Sequence, residues 1–152
     1  MAKKTIYLAS PYGFADQWRL NLLPEFVSKL ESMDLTVLEP FDRNSHVDFT
    51  ISGCAHKVAL SNFEDLRGSD AIFAIVNGTP PDEGVMVELG IACALGKPTF
   101  LFRDDFRRCT DSKDYPLNLM IFTGIPYDSW NDYYYRSLNE IQNTNKAIYK
   151  WL

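Results

Sequence analysis

Ala71-Ile72-Phe73-Ala74-Ile75-Val76 has no polar position, and Asn77-Gly78-Thr79-Pro80-Pro81-Asp82 breaks the run before a second apolar stretch from Gly84 to Leu95. A short continuous apolar run bounded by turn residues reads as a parallel strand covered on both faces. The second stretch is long enough for a helix, and Gly96-Lys97-Pro98 stops it. Strand, loop and helix in that order form the repeating half of a parallel α/β sheet.

Working outward, Thr5 to Ala9 (TIYLA) is a first strand, stopped by Ser10-Pro11-Tyr12-Gly13. From Ala15 to Met33, the residues Trp18, Leu22, Leu23, Phe26, Val27 and Leu30 recur at helical spacing, with Pro24 kinking or breaking the first half. Leu35 to Leu38 is a second strand, ended by Glu39-Pro40-Phe41-Asp42, and a polar helix runs from about Gly53 to Arg67. Downstream, Thr99 to Phe102 is a fourth strand, Arg103 to Tyr115 a charged exposed loop, and Leu117 to Phe122 a short fifth strand. A helix from Trp130 or Asn131 closes the chain. The pattern predicts a flavodoxin-like, doubly wound parallel five-stranded sheet of order 2-1-3-4-5, with helices on both faces. In such sheets ligands bind beyond the carboxyl ends of the strands at the switch point, here the loops Ser10 to Phe14, Pro40 to Ser45 and Asn77 to Glu83. Asp70, at the opposite edge, reads as a structural cap.

The 152 residues suit a single domain over 1–152, and 46% hydrophobic with 23% charged residues is ordinary for a soluble globular chain. The formal charge of −5 argues against polymeric nucleic acid. Cys54, Cys93 and Cys109 are too widely spaced for a disulfide framework or a CxxC site, and His46 and His56 lack partners at zinc spacing, so no metal is expected. The start Met1-Ala2-Lys3-Lys4 leads into too few apolar residues for a secretion signal, and no run is long enough for a membrane span. A cytoplasmic protein without membrane contact is the expectation.

Glu88 is the only charge between Gly84 and Gly96, in a helix apolar on nearly every side and therefore expected to be buried. A buried carboxylate needs a partner or a cleft. Glu88 is thus either a surface-seeking or paired residue or a nucleophile in a pocket. Gly84, one turn earlier on the same face, leaves the approach bare. Asp82 can simply cap the helix, or can join Glu88 as a pair of carboxylates suited to transfer at an acetal-like carbon. Tyr7 on the first strand is either core or a hydroxyl that holds the carboxylate, and Phe14 packs in its loop or stacks on a heterocycle. Trp130, Tyr133, Tyr134, Tyr135, Tyr149 and Trp151 read as core plus subunit contact. Neither a glycine-rich phosphate loop nor a GxSxG elbow occurs, which removes support for dinucleotide reduction, kinase chemistry and serine hydrolysis.

Ile6-Tyr7-Leu8-Ala9, Phe14, Asp70-Ala71, Pro81-Asp82-Glu83-Gly84, Glu88-Leu89-Gly90 and Leu117-Asn118-Leu119-Met120, in that order, resemble the nucleoside 2-deoxyribosyltransferases from about residue 5 to residue 124. The resemblance implies transfer of a 2-deoxyribosyl group between purine or pyrimidine bases through a covalent glycosyl-enzyme, with no cofactor. It implies Glu88 as nucleophile, Asp82 as the carboxylate that handles the base proton, and Tyr7 as the hydroxyl orienting Glu88. Phe14 would pack on the base, with Asp42 and Gly84 among the further substrate contacts. Asn118 and Met120 correspond to residues lent to a neighbouring subunit, so a dimer-based homo-oligomer, up to a hexamer, with shared sites is expected. Eight residues before Asp70, where some bacterial members carry an Asp near the base, this chain has Asn62, whose amide both donates and accepts. Deoxynucleosides and free nucleobases are the implied substrates, in nucleoside salvage. The alternatives are a deoxynucleoside 5′-monophosphate N-glycosidase and a non-catalytic nucleotide-binding module on the same fold.

Overall fold

The computed structural model describes residues 3–110 and 112–152; Met1, Ala2 and Asp111, and with them part of the reading of the N-terminus and of the charged loop, lie outside the described residues. Five strands form one all-parallel sheet: β1 (Thr5–Ala9), β2 (Thr36–Leu38), β3 (Ala71–Ile75), β4 (Thr99–Phe102) and β5 (Tyr134–Tyr135), in the order 2-1-3-4-5. The helices are α1 (Leu23–Glu31), α2 (Pro40–Arg43), α3 (Cys54–Gly68), α4 (Glu83–Ala94) and α5 (Ala147–Trp151).

Strand alternation sorts side chains into two cores. Ile6, Leu8, Phe73 and Phe100 pack with Phe26 and Leu30 of α1 and with Ile148 of α5. Tyr7, Ala9, Ile72 and Leu101 pack on the other face with Leu66 of α3 and with Val85, Leu89 and Ala92 of α4. The sheet is therefore covered on both faces, as the unbroken apolar run of β3 requires. Asp70 ties the lower edge, accepting from the Thr5 N–H at 2.7 Å.

Pro24 shapes the first helix. It lies in the first turn of α1, and a π-helical turn over Trp18–Leu22 precedes it, with the Leu23 N–H reaching back to the Trp18 carbonyl. A proline has no N–H for the carbonyl four residues earlier, and the wider turn lies where that break in the helical bonding falls.

Three expectations are corrected. Leu117 to Phe122 is not a strand: Asn118 Oδ1 accepts from the Met120 N–H and starts a 3-10 turn over Leu119–Phe122, whose Ile121 and Phe122 enter the α4-side core. The fifth strand is instead Tyr134–Tyr135, inside the expected terminal helix, pairing with Leu101 and Phe102. Adjacent tyrosines that face opposite cores suit a strand and not a helix, and Tyr134 and Tyr135 are both buried. The aromatic surplus is thus used mostly within the chain, although Tyr149 remains exposed.

The second correction concerns α4. Val85, Leu89 and Ala92 are buried, but Val87 is 63% exposed and Leu95 46%. Its inner stripe packs on the sheet and its outer apolar stripe does not, because one helix presents only one side to a sheet. Third, the charged loop is not wholly exposed. Arg103 is buried, and its guanidinium donates to the carbonyl oxygens of Val76 at 2.6 Å, Gly78 at 2.7 Å and Arg107 at 2.9 Å. These bonds replace water around the buried cation and tie the β4 loop to the loop that leads into α4.

Candidate active site

β1 and β3 pack against α4, and Tyr7 from the middle of β1 meets Glu88 there. Tyr7 alternates away from Ile6 and Leu8 toward α4, and its hydroxyl donates to Glu88 Oε1 at 2.6 Å. Burial pushes the Glu88 carboxyl up to about 7; the negative charges of Asp82 and Glu39 act in the same direction, and the Tyr7 hydrogen bond opposes them. Burial and the adjacent Glu88 raise the Tyr7 phenol far above its ordinary value, so it stays protonated and donates.

Asp82 caps α4: its Oδ1 accepts from the Val85 N–H at 3.0 Å. The capping role does not exclude chemistry, because Oδ2 has no partner among the described residues and Asp82 borders the same cavity as Glu88. That cavity has a volume of about 550 Å³, within the range of small-molecule sites. Phe14 and Phe49, 75% and 63% exposed, stand on its rim. The Phe14 ring meets Phe41 edge-on, with centroids 5.0 Å apart.

Two glycines shape the walls. A Cβ on Gly84 would meet only Asp82 Oδ1, at 3.2 Å, so the surface leading to Glu88 is open. A Cβ on Gly13 would fall 2.0 Å from the Phe41 ring, so Phe41 reaches the cavity wall only because residue 13 is a glycine.

Asn62 of α3 also lines the cavity, and its Oδ1 accepts from Asn44 Nδ2 at 2.9 Å. Asn62, Gly84 and Glu88 border a second groove as well, between α3 and α4, beside Phe63, Val87 and Ile91. The carboxylate is therefore reached from a side whose walls are apolar and exposed.

The chain brings together Glu88, Asp82, Tyr7, Phe14, Asn62 and Gly84. Asp42 is elsewhere, lining a neighbouring groove with Arg19 and Leu20. Asn118 and Met120 lie across α4 from Glu88, in an apolar groove of about 690 Å³ with Met86 and Cys93. Sequence reasoning missed Glu39. It is buried, accepts from the Phe41 N–H at 3.0 Å and the Asp42 N–H at 2.7 Å, and is held above its ordinary range by burial. A Glu directly before a Pro that opens a helix was the available signal. Phe49 was missed too, whereas Gly13 and Asn44 were placed only as members of the ligand-side loops. Among the described residues no cluster of three His, Cys, Asp or Glu is placed to hold a metal.

A pocket with one hydrogen-bonded, half-buried carboxylate, a second carboxylate beside it and aromatic rings at the rim suits attack on a sugar carbon that bears a flat leaving group. The nucleoside 2-deoxyribosyltransferase family profile matches residues 6–120. The chain belongs to that family. Among solved structures, the 2-deoxyribosyltransferase of Bacillus psychrosaccharolyticus is 26% identical, with a TM-score of 0.70 over 91% of this chain and 90% of that one. The 2-deoxyribosyltransferase of Leishmania mexicana is also 26% identical, with a TM-score of 0.67 over 90% and 92%. A conserved protein from Enterococcus faecalis, 22% identical with a TM-score of 0.68 over 93% and 98%, shares the fold. No curated sequence matches the chain. The 2-1-3-4-5 sheet is thus part of a fold shared with the Bacillus psychrosaccharolyticus enzyme, and no helix among the described residues is long and apolar enough to cross a membrane.

Proposed function

We propose that this protein transfers a 2-deoxyribosyl group from one nucleobase to another by double displacement at Glu88, in nucleoside salvage. The observation that carries the reading is the Tyr7–Glu88 hydrogen bond at 2.6 Å, set in a cavity rimmed by exposed phenylalanine rings. A hydroxyl donor on one carboxylate oxygen leaves the other to attack and fixes its direction.

Ionised Glu88 forms a bond to the anomeric carbon as the bond from that carbon to the base nitrogen breaks. Asp82 gives the departing base its proton. A second base then enters, loses its proton to Asp82, and attacks the same carbon from the vacated side, releasing Glu88; two inversions give net retention. The negative charge of Glu39, joined by Asp82 once it has given up its proton, raises the Glu88 carboxyl and favours the positive charge that develops on the sugar. The phenylalanines hold the flat base and displace water, on which transfer in place of hydrolysis depends.

A nucleoside fits better than a nucleotide, because among the described residues no Lys, Arg or His lines this cavity to meet a 5′-phosphate. The substrate side of the site is completed by a second copy. The apolar outer stripe of α4 beside the open groove supports this reading, as does the position of Asn118 and Met120 away from their own Glu88. A dimer-based assembly follows, and sedimentation showing only a monomer would remove it.

The deciding experiment is chromatography of the protein with thymidine and free hypoxanthine or adenine. A new deoxynucleoside that grows with the added base establishes transfer. Free deoxyribose, formed regardless of the added base, means a hydrolase, and no turnover of any deoxynucleoside overturns the reading.

A further inference from the structure

Asn44 ends α2, Asn62 lies on α3, and the two amides meet at the cavity wall. Asn44 Nδ2 donates to the Pro40 carbonyl oxygen at 2.7 Å and to Asn62 Oδ1 at 2.9 Å. A main-chain carbonyl only accepts, so the Pro40 contact decides which end of the Asn44 amide is nitrogen. That nitrogen also faces Asn62, so the Asn62 atom turned toward it is oxygen. Orientation therefore passes from backbone to cavity through two amides. The Asn62 nitrogen is left with two N–H donors and no partner among the described residues, and it is not sealed inside the protein.

We propose that Asn44 is a positioning residue which locks Asn62 with its amide nitrogen toward the substrate, so that the site selects bases carrying an oxo oxygen, 6-oxopurines and 4-oxopyrimidines, over their amino counterparts. The inference rests on the deoxyribosyl-transfer reading and names the substrate class within it. An oxo oxygen on the edge that meets α3 accepts from Asn62, whereas an exocyclic amino group there sets donor against donor. A free asparagine would turn its amide over and serve both. The Pro40 anchor removes that freedom.

The test pairs hypoxanthine with adenine, and uracil with cytosine, as competing acceptors from one deoxynucleoside donor, and measures binding of the same bases by calorimetry. The unaltered protein is expected to favour the oxo base in kcat/KM by about 10- to 100-fold, the usual range for leaving a buried donor unpaired. Asn44→Ala should bring the ratio toward one. Asn44→Asp should invert it: a carboxylate cannot donate to Asn62 Oδ1, attracts the Asn62 nitrogen instead, and so turns the oxygen toward the base. A merely structural Asn44 would lower thermal stability and slow every base alike, leaving the ratio unmoved. Equal use of oxo and amino bases by the unaltered protein, or an unchanged ratio in both variants, overturns the proposal. If no sugar is transferred but oxo bases bind preferentially and Asn44→Ala abolishes the preference, the transfer reading falls and the selection stands. If no base is either transferred or bound, both fall.

Discussion

The two flanks of α4 are built from similar stock and differ in kind. One carries Gly84 and Glu88 beside Tyr7 and Asp82; the other carries Met86, Gly90 and Cys93 beneath Met120. Both are grooves of ligand size, at about 550 and 690 Å³, so volume does not separate them. Chemistry does. The first holds a carboxylate raised to about 7 by burial, with a hydroxyl on it and a second carboxylate nearby. Among the described residues no carboxylate or amine lines the second. A helix on a sheet offers two flanks about a third of a turn either side of its buried stripe, and one charged residue in that helix is enough to decide which is reactive.

The comparison breaks most sharply at Glu88. Glu88→Ala should lower base exchange by about 10³-fold or more while leaving the fold intact, whereas Cys93→Ala on the other flank should change it by less than about 3-fold; rates and circular dichroism of both variants check this. Comparable losses in the two would mean the reactive flank has been misassigned.

Tyr7→Phe should cost about 10- to 100-fold, as expected for one lost donor to the reacting group. It should also shift the pH profile. Exchange by the unaltered protein should fall as pH drops through about 7, where Glu88 takes up a proton. Removing the hydrogen bond that holds the carboxyl down must move that limb to higher pH.

Gly13→Ala should raise KM by about 10-fold with little change in kcat, because the added methyl displaces the Phe41 ring from the cavity wall and leaves Glu88 alone. Steady-state kinetics separates the two parameters.

The smallest effect is on stability. The folded protein holds a proton on Glu88 up to about pH 7, while the unfolded chain loses it near the ordinary 4.5, so stability falls as pH rises through that window. Glu88→Gln should therefore melt higher than the unaltered protein at pH 8, by a few degrees on a scale of about 2–4 °C per kcal/mol. The gap should close near pH 4; a constant gap across pH would show that burial of the charge is not its source.

The order 2-1-3-4-5, the places of four strands and the identity of Glu88 as the odd charge in an apolar helix are all legible in the chain, because each rests on local periodicity. Asp82, Tyr7 and Phe14 are legible as candidates in the same way, from a helix cap, from alternation within β1 and from the loop after it. Glu39 is legible only as a cap before Pro40, and Asn44 and Gly13 only as members of ligand-side loops; what they do there depends on packing that the chain does not spell out. The fifth strand failed for a related reason, since Tyr134–Tyr135 is a two-residue element and Leu117 to Phe122 has the composition of a strand but begins with an Asn118 cap.

Local sequence alone thus determined the alternation of apolar runs and turns, and with it the fold class, and it marked the carboxylate that has no apolar reason to be there. Tertiary structure alone decided that Tyr7 touches that carboxylate, that α4 is apolar outside as well as inside, and that the amide closing α2 meets an amide on α3. Periodicity is a property of neighbours along the chain, whereas hydrogen-bond direction, burial and the sum of nearby charges are set by atoms that meet only after folding.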